Sequence, residues 1–121
     1  MANTFKVVTF AADPASAGTP YVMYTVASST TTVVLGLVLS NINTTAVTAE
    51  VELVSTTSSR GGANNVANGT SFLIKDVSIP TGSSLEILSG GKVVLEAGDN
   101  IQVDCSVADK LSGTLSIMEI T

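Results

Sequence analysis

Short apolar segments alternate with turn residues along the whole chain. Segments rich in β-branched or aromatic residues begin near Phe5, Tyr21, Thr30, Val47, Thr70, Ile101 and Leu115. Turn signals recur about every ten residues, and no stretch combines a helical period with helix caps. The pattern predicts an all-β fold, an antiparallel β-sandwich of about eight or nine short strands. Jelly-roll and immunoglobulin-like topologies are both open.

Two segments differ in how their apolar residues are arranged. Residues 33–39 leave no polar face, so a strand there has to be covered on both sides. The domain core supplies one cover, and a second layer of the chain or another subunit supplies the other. Gly36 within this run predicts a bulge or a close contact. Residues 47–54 instead alternate, with Glu50 and Glu52 on a solvated outer face.

Residues 77–107 carry the densest series of strand and turn signals. The turns are Pro80-Thr81-Gly82, Ser89-Gly90-Gly91 and Ala97-Gly98-Asp99-Asn100. This series predicts a β-meander, in which each turn reverses the chain. In the last strand the apolar phase shifts between Ile117 and Met118, which predicts a bulge or burial of both faces.

The length of 121 residues is that of a single domain. Residues 1–24 are predicted as an N-terminal strand and arm, and residues 25–121 as the sandwich. A turn within residues 108–113 precedes the last strand. Residues 55–69, rich in Ser, Gly and Asn, predict either a mobile hairpin tip or a contact loop ordered by a partner.

Composition narrows the choice of partners. Charged residues make up 12% of the chain, about half the usual share, so little charge has to be desolvated when the surface meets a neighbour. A net charge of −5 with five scattered basic residues argues against a nucleic-acid partner. No apolar run approaches the ~20 residues of a membrane helix, and the first residues lack a signal-peptide pattern. We therefore expect no membrane partner and a protein made in the cytoplasm rather than secreted.

The residues that most catalytic sites need are missing. The chain has no histidine, which excludes Ser-His and Cys-His catalysis. The acids fall in turns and on outer strand positions, and Cys105 lies on the inward phase of its strand, as an inert thiol does. Gly90-Gly91-Lys92 opens a strand and is not a phosphate loop, and Gly98-Asp99-Asn100 lacks the acids of a calcium loop. We expect no enzyme, no cofactor and no metal site.

The segment I-P-T-G-S-S-L-E-I-L-S-G-G-K-V-V-L-E-A-G-D-N-I-Q-V, residues 79–103, resembles small virion proteins of tailed bacteriophages, including those of cyanobacteria. The resemblance extends to Val33-Val34-Leu35-Gly36-Leu37 with Asn41, to residues 47–53 and to Met118-Glu119-Ile120-Thr121. It covers residues 25–121 and rests on turn residues and strand patterning. It implies a β-sandwich structural component of the particle.

The expectation that follows is a non-enzymatic capsid decoration (cement) protein on the virion surface. It would bridge subunits of the major capsid protein, or other virion proteins, as a homo-oligomer, with a trimer favoured. A tail, collar or fibre-associated subunit and a host-surface carbohydrate-binding module are the alternatives. Candidate interface residues are Phe5, Phe10, Tyr21 and Tyr24 near the N-terminus and Arg60, Asn64 and Asn65 in the long loop. Ordinary core packing is the alternative for the four aromatics.

Overall fold

A computed structural model describes residues 2–55 and 69–121, and within them it is an antiparallel β-sandwich of two sheets. The nine strands are β1 Asn3–Asp13, β2 Tyr21–Thr25, β3 Thr31–Asn41, β4 Val47–Ser55, β5 Gly69–Ile79, β6 Ser84–Glu86, β7 Val93–Leu95, β8 Asn100–Cys105 and β9 Leu111–Ile120. The all-β sandwich predicted from the hydrophobic pattern is confirmed. Arg60, Asn64 and Asn65 of the predicted contact loop lie outside the described residues.

The two sheets are built by a chain that repeatedly changes sheet. The five-stranded sheet has the order β1-β9-β3, with β6 and β7 both paired to the far side of β3. The four-stranded sheet has the order β2-β8-β4-β5. Among the described strands, six connections cross from one sheet to the other: β1–β2, β2–β3, β3–β4, β5–β6, β7–β8 and β8–β9. The crossings keep the two sheets face to face around one core.

The core lies between the sheets and is formed by alternate residues of the long strands. Its fully buried large side chains include Leu37, Leu39, Ile79, Leu95, Ile101, Leu111, Leu115 and Ile117. Burying each such side chain stabilises the fold by roughly 1.5–3 kcal/mol. Cys105 is a buried free thiol on the inward phase of β8.

The predicted β-meander over residues 77–107 is wrong. The strands of this segment do not pair with their neighbours in sequence, because β6 and β7 join β3 in one sheet while β8 joins β2 and β4 in the other. The turn after Pro80, closed by a 3.1 Å bond from Ser83 N to Pro80 O, leads from one sheet to the other. Turn residues in this segment therefore mark places where the chain passes from one sheet to the other, and not only places where it reverses direction within a sheet.

Together, β6 and β7 behave as one interrupted strand along β3. The first pairs with Val38 to Ser40 and the second with Thr32 to Val34. Between these stretches the register of β3 with β9 shifts from Val34 to Gly36, which confirms the bulge, one of the two features predicted at Gly36. The Glu86 carboxylate accepts a 3.3 Å hydrogen bond from the Leu37 backbone N–H at this bulge. The carboxylate thus satisfies a donor at the point where the regular ladder is broken.

The strands β1 and β9 are longer than predicted and pair from Asn3 opposite Ile120 to Asp13 opposite Leu111, with a shift in register between Phe10 and Asp13. The turn expected over residues 108–113 is therefore too long, because β9 already begins at Leu111. Gly113 permits this close pairing, since a Cβ at that position would overlap the Phe10 ring.

The apolar phase change near the end of β9 has a simple explanation. The register runs on without a bulge through Ile117 and Met118. Ile117 is fully buried in the core, whereas Met118 lies half-buried on the outer side of the sheet. The strand is therefore apolar on both faces at this point.

Candidate interaction surface

The outer side of the five-stranded sheet carries a continuous group of apolar side chains, which we call the apolar face. Its members are Phe5, Val7, Val33, Val94, Met118 and Ile120. Phe5 is 71% exposed, Val7 62% and Val94 58%. The other three are half-buried, and none of the six belongs to the hydrophobic core or packs against it. The apolar face is therefore a second hydrophobic surface, separate from the core.

Strand register aligns four of these residues in one row across the sheet. Phe5 on β1 lies opposite Met118 on β9, and Met118 lies opposite Val33 on β3. Val33 in turn lies opposite Val94 on β7. Neighbouring strands are ~4.8 Å apart, so the row runs for about 14 Å at right angles to the strands.

The apolar face carries almost no charge. The outward positions of β1, β3 and β9 hold only apolar residues, serine, threonine and asparagine. The exposed ammonium of Lys6 lies 2.7 Å from a Glu119 carboxylate oxygen and belongs to the opposite phase of β1. Glu86 stands at the margin on β6, where its carboxylate serves the bulge. Little desolvation of charge would oppose burial of this surface.

Strand dimensions give the area of this outer side. The three long strands have 11, 11 and 10 residues. At ~3.3 Å per residue and ~4.8 Å per strand, with β6 and β7 as the fourth strand, the outer side covers about 500–650 Å². The apolar face occupies part of this area, and the largest apolar patch on a typical monomer, often a functional one, is about 300–600 Å².

The outer side of the four-stranded sheet is acidic by contrast. A shallow pocket of about 190 Å³ is lined by Glu50, Asp76 and Asp104 together with Gly18, Thr48, Cys105 and Ser106. Glu50 lies directly opposite Asp104 across the β4–β8 pair. Glu52 follows on the same face of β4, so most of the acidic charge on the sandwich faces is on this side.

Two carboxylates of the acidic pocket already have donors. The Lys75 ammonium lies 3.1 Å from Glu50 Oε1, and this hydrogen bond raises the pKa of Lys75. Asp104 Oδ1 accepts backbone N–H bonds from Gly18 at 3.1 Å and Cys105 at 2.8 Å. Across residues 2–55 and 69–121, no group of three acidic, Cys or His side chains is placed to hold a metal ion. The pocket is a hydrogen-bonded part of the sheet surface.

Three of the four aromatic residues predicted as contacts pack inside the sandwich. Phe10 is 7% exposed and meets Tyr21 edge-on, with ring centroids 5.3 Å apart. This pair joins β1 to β2 and so links the two sheets. Tyr24 also packs against the core. These three follow the core-packing alternative, and only Phe5 lies on an exposed surface.

Tyr24 links the two sheets through its hydroxyl group. That group lies 2.8 Å from Thr32 Oγ1 and donates a 2.6 Å hydrogen bond to Glu119 Oε2. Burial, followed by the hydrogen bond to Glu119, raises the pKa of Tyr24 to about 12. Hydrogen bonds from Lys6 and then Tyr24 lower the pKa of Glu119. The network holds the end of β9 next to the apolar face.

Asn41, one of the residues that carry the phage resemblance, is a buried structural amide. Its Nδ2 donates to the carbonyl oxygens of Ile79 at 2.8 Å and Thr45 at 3.0 Å. Its Oδ1 accepts a 2.7 Å bond from the backbone N–H of Asn43. Asn41 thereby fixes the turn between β3 and β4 onto the end of β5.

Comparison of the chain with family models, curated proteins and solved structures finds no match. In the part of the chain that the structure describes, no helix is long and apolar enough to cross a membrane.

Sequence reasoning identified only Phe5 among the six residues of the apolar face. Two signals pointed to others: the run at residues 33–39 without a polar side, and the phase change at Met118. The sequence gives no such signal for Val7 and Val94. Each has a second valine next to it, so the alternation of apolar and polar residues does not show which of the two faces outward. Only strand register shows which valine of each pair faces outward.

Proposed function

We propose that this chain is a non-enzymatic structural protein of a bacteriophage virion, a capsid decoration (cement) protein that holds neighbouring subunits together. The observation that carries the proposal is the apolar face, an exposed and nearly charge-free surface with no role in the core. The resemblance of residues 79–103 to small virion proteins of tailed bacteriophages supplies the setting. Removing an exposed apolar surface from water is favourable, so such a surface tends to adhere to another one.

The size of the outer side that carries the apolar face suits a contact that is repeated many times. Pairing 500–650 Å² on each partner removes about 1,000–1,300 Å² from water, near the lower limit of stable interfaces. Burial of the apolar part of this area favours association. Association costs of about 4–15 kcal/mol oppose it. One contact is then moderate in strength, and many contacts in a lattice become collectively strong.

The acidic pocket supports a structural rather than an enzymatic role. Carboxylate catalysis needs two acids facing a substrate with their pKa values pushed apart. Glu50 and Asp104 instead accept hydrogen bonds from Lys75 and from backbone N–H groups. The chain also has no histidine to act as a base near neutral pH.

The test is quantitative mass spectrometry of purified particles of the virus whose genome encodes this chain. Hundreds of copies per particle are expected for a decoration protein. A dozen copies or fewer would move the proposal to the tail, collar or fibre alternative. Absence from particles would refute a virion role.

Point substitutions test whether incorporation of the chain into particles depends on the apolar face. Deleting the N-terminal segment would remove β1, which pairs with the whole of β9 and places Phe10 in the core. Val94→Asp changes the apolar face, and Val22→Asp is its matched control on the outer side of the four-stranded sheet. Loss of incorporation for the first variant alone is the expected result, and equal incorporation of both would contradict it.

A further inference from the structure

We infer that the apolar face is a self-association surface, on which a second copy of this chain packs sheet against sheet with two-fold symmetry. The inference rests on the proposed function only because both treat the apolar face as an interface. It adds that the partner is a second copy of the chain. Three observations lead to a second copy: the area of the face, the placement of charge and the direction of the apolar row.

The area of the outer side that carries the apolar face is sufficient for a dimer. The whole outer side of the five-stranded sheet, of which the apolar face is the hydrophobic part, covers about 500–650 Å² on each of two copies and so reaches the ~1,000 Å² that a specific interface needs. The three long strands are of nearly equal length and paired in register, so one copy can cover the other along the full sheet. Stacked sheets pack ~10 Å apart with strands nearly aligned, a geometry that two twisted antiparallel sheets adopt readily.

The placement of charge favours a copy of the same chain in spite of its net charge of −5. Glu50, Glu52 and Asp104 lie on the outer side of the four-stranded sheet. In a dimer joined through the apolar faces, the two acidic sides point away from each other across four stacked sheets. Three spacings of ~10 Å separate them by about 30 Å, some three Debye lengths at 0.1 M salt. Self-repulsion is therefore screened, whereas a basic partner would be drawn to the acidic side.

The apolar row makes the face self-complementary. Phe5, Met118, Val33 and Val94 form a line across the strands near one end of the sheet, so a two-fold axis parallel to the strands and midway along that line places row against row and lets the remaining length of the two faces overlap. A two-fold interface uses the same patch on both subunits. A three-fold ring needs two different patches on each subunit, and the apolar face is a single patch. This geometry favours a dimer as the basic unit over the trimer expected from the sequence.

Matched substitutions test the inference on the purified chain. Val94→Asp and Phe5→Ser alter the two ends of the row, which belong to β7 and β1. Val22→Asp and Phe72→Ser are the controls, because these residues are 44% and 46% exposed on the four-stranded sheet. All four variants change exposed side chains, and thermal unfolding followed by circular dichroism checks that each remains folded. Val7→Asp replaces Phe5→Ser if that variant unfolds, and Val94→Ser replaces Val94→Asp, so that one variant always lies on β7.

Sedimentation equilibrium from about 1 µM to 1 mM gives the result. The wild type is expected to form a particle of twice the 12.2 kDa chain mass with a dissociation constant in about the micromolar range. Each face variant should raise that constant at least tenfold, and each control should change it less than threefold. A wild type that stays monomeric at 1 mM, or that assembles as a trimer, overturns the inference.

The two face variants also separate this packing from pairing of strand edges. The free edge of β1 could pair with another β1, and such a contact would depend on Phe5 but not on Val94, three strands away. Sensitivity to Phe5→Ser alone, or equal sensitivity to the controls, therefore overturns face-to-face packing. The measurement needs no virus particles. A dimer absent from virions would refute the proposed function alone, and a monomer abundant in virions would refute only this inference.

Discussion

The contact between Phe10 and Gly113 makes a sharp prediction about stability. In a strand interior, alanine is normally preferred over glycine by roughly 0.5–1 kcal/mol. At Gly113, however, an added Cβ would overlap the Phe10 ring, with two further ring carbons only 2.7 Å and 3.0 Å away. The ring has little room to move because it is 7% exposed and packs edge-on against Tyr21. Gly113→Ala is therefore expected to destabilise the protein by about 1–3 kcal/mol, as overpacked cores do.

Thermal unfolding measures this cost directly. The unfolding entropy of ~2.1 cal/mol/K per residue gives about 0.25 kcal/mol/K for a chain of this length, so the melting temperature should fall by about 4–12 °C. Gly36→Ala is the matched control. Gly36 is also within a strand, and its added Cβ would meet only the Glu86 carboxylate at an ordinary 3.7 Å. We expect the control to change the melting temperature by less than about 2 °C.

A double-mutant cycle tests the assigned cause. In a Phe10→Leu background the ring is gone, so Gly113→Ala should cost less than about 0.5 kcal/mol. The reasoning fails if Gly113→Ala is neutral in the wild type, or if it costs the same with and without the ring.

Three further predictions concern the polar contacts that join the sheets. Asn41→Ala should lower the free energy of unfolding in urea by about 3 kcal/mol, because three hydrogen bonds are lost and the buried Ile79 carbonyl loses a donor; a cost below 1 kcal/mol would contradict this. The lowered pKa of Glu119 means that its ionised form stabilises the fold above its ordinary value of 4.5, and that this contribution disappears as the pH falls through the folded-state pKa. Melting curves of wild type and Glu119→Gln should therefore differ most above pH 5 and converge in acid; a constant difference would exclude this linkage. The pKa of Tyr24, raised from 10.0 to about 12, favours the protonated hydroxyl in the fold, so stability should fall as the pH rises from 10 to 12, and Tyr24→Phe should fall less steeply.

The fold class was predictable because it depends on local periodicity. The alternation in residues 47–54 and the absence of helical periods are visible in the sequence, and both lead to a sandwich. The arrangement of strands was not predictable in the same way. The turn at residues 80–82 shows that the chain changes direction, but β6 joins β3 because it pairs with residues 44 to 48 positions earlier. Such long-range pairing leaves no mark in the turn itself.

The interaction surface was only partly predictable for a related reason. The sequence F-K-V-V-T-F has apolar residues on both phases of β1, so it does not show whether Phe5 or Phe10 faces the core. Pairing with β9 decides, because Phe10 lies opposite Gly113, where its ring has room. The two-sided apolar run of β3 did indicate that another surface would need a cover. The residues that complete that surface became visible only from the register across four strands.

The unequal placement of charge gives each molecule an electrical polarity along the normal to its sheets. Glu50, Glu52, Asp76 and Asp104 lie toward one side, and the apolar face lies on the other. A positively charged support should therefore bind the molecule by its acidic side and hold it in one orientation. Every copy immobilised as a monomer would then present the apolar face to the solution. Such an oriented layer offers a direct way to measure what binds that face.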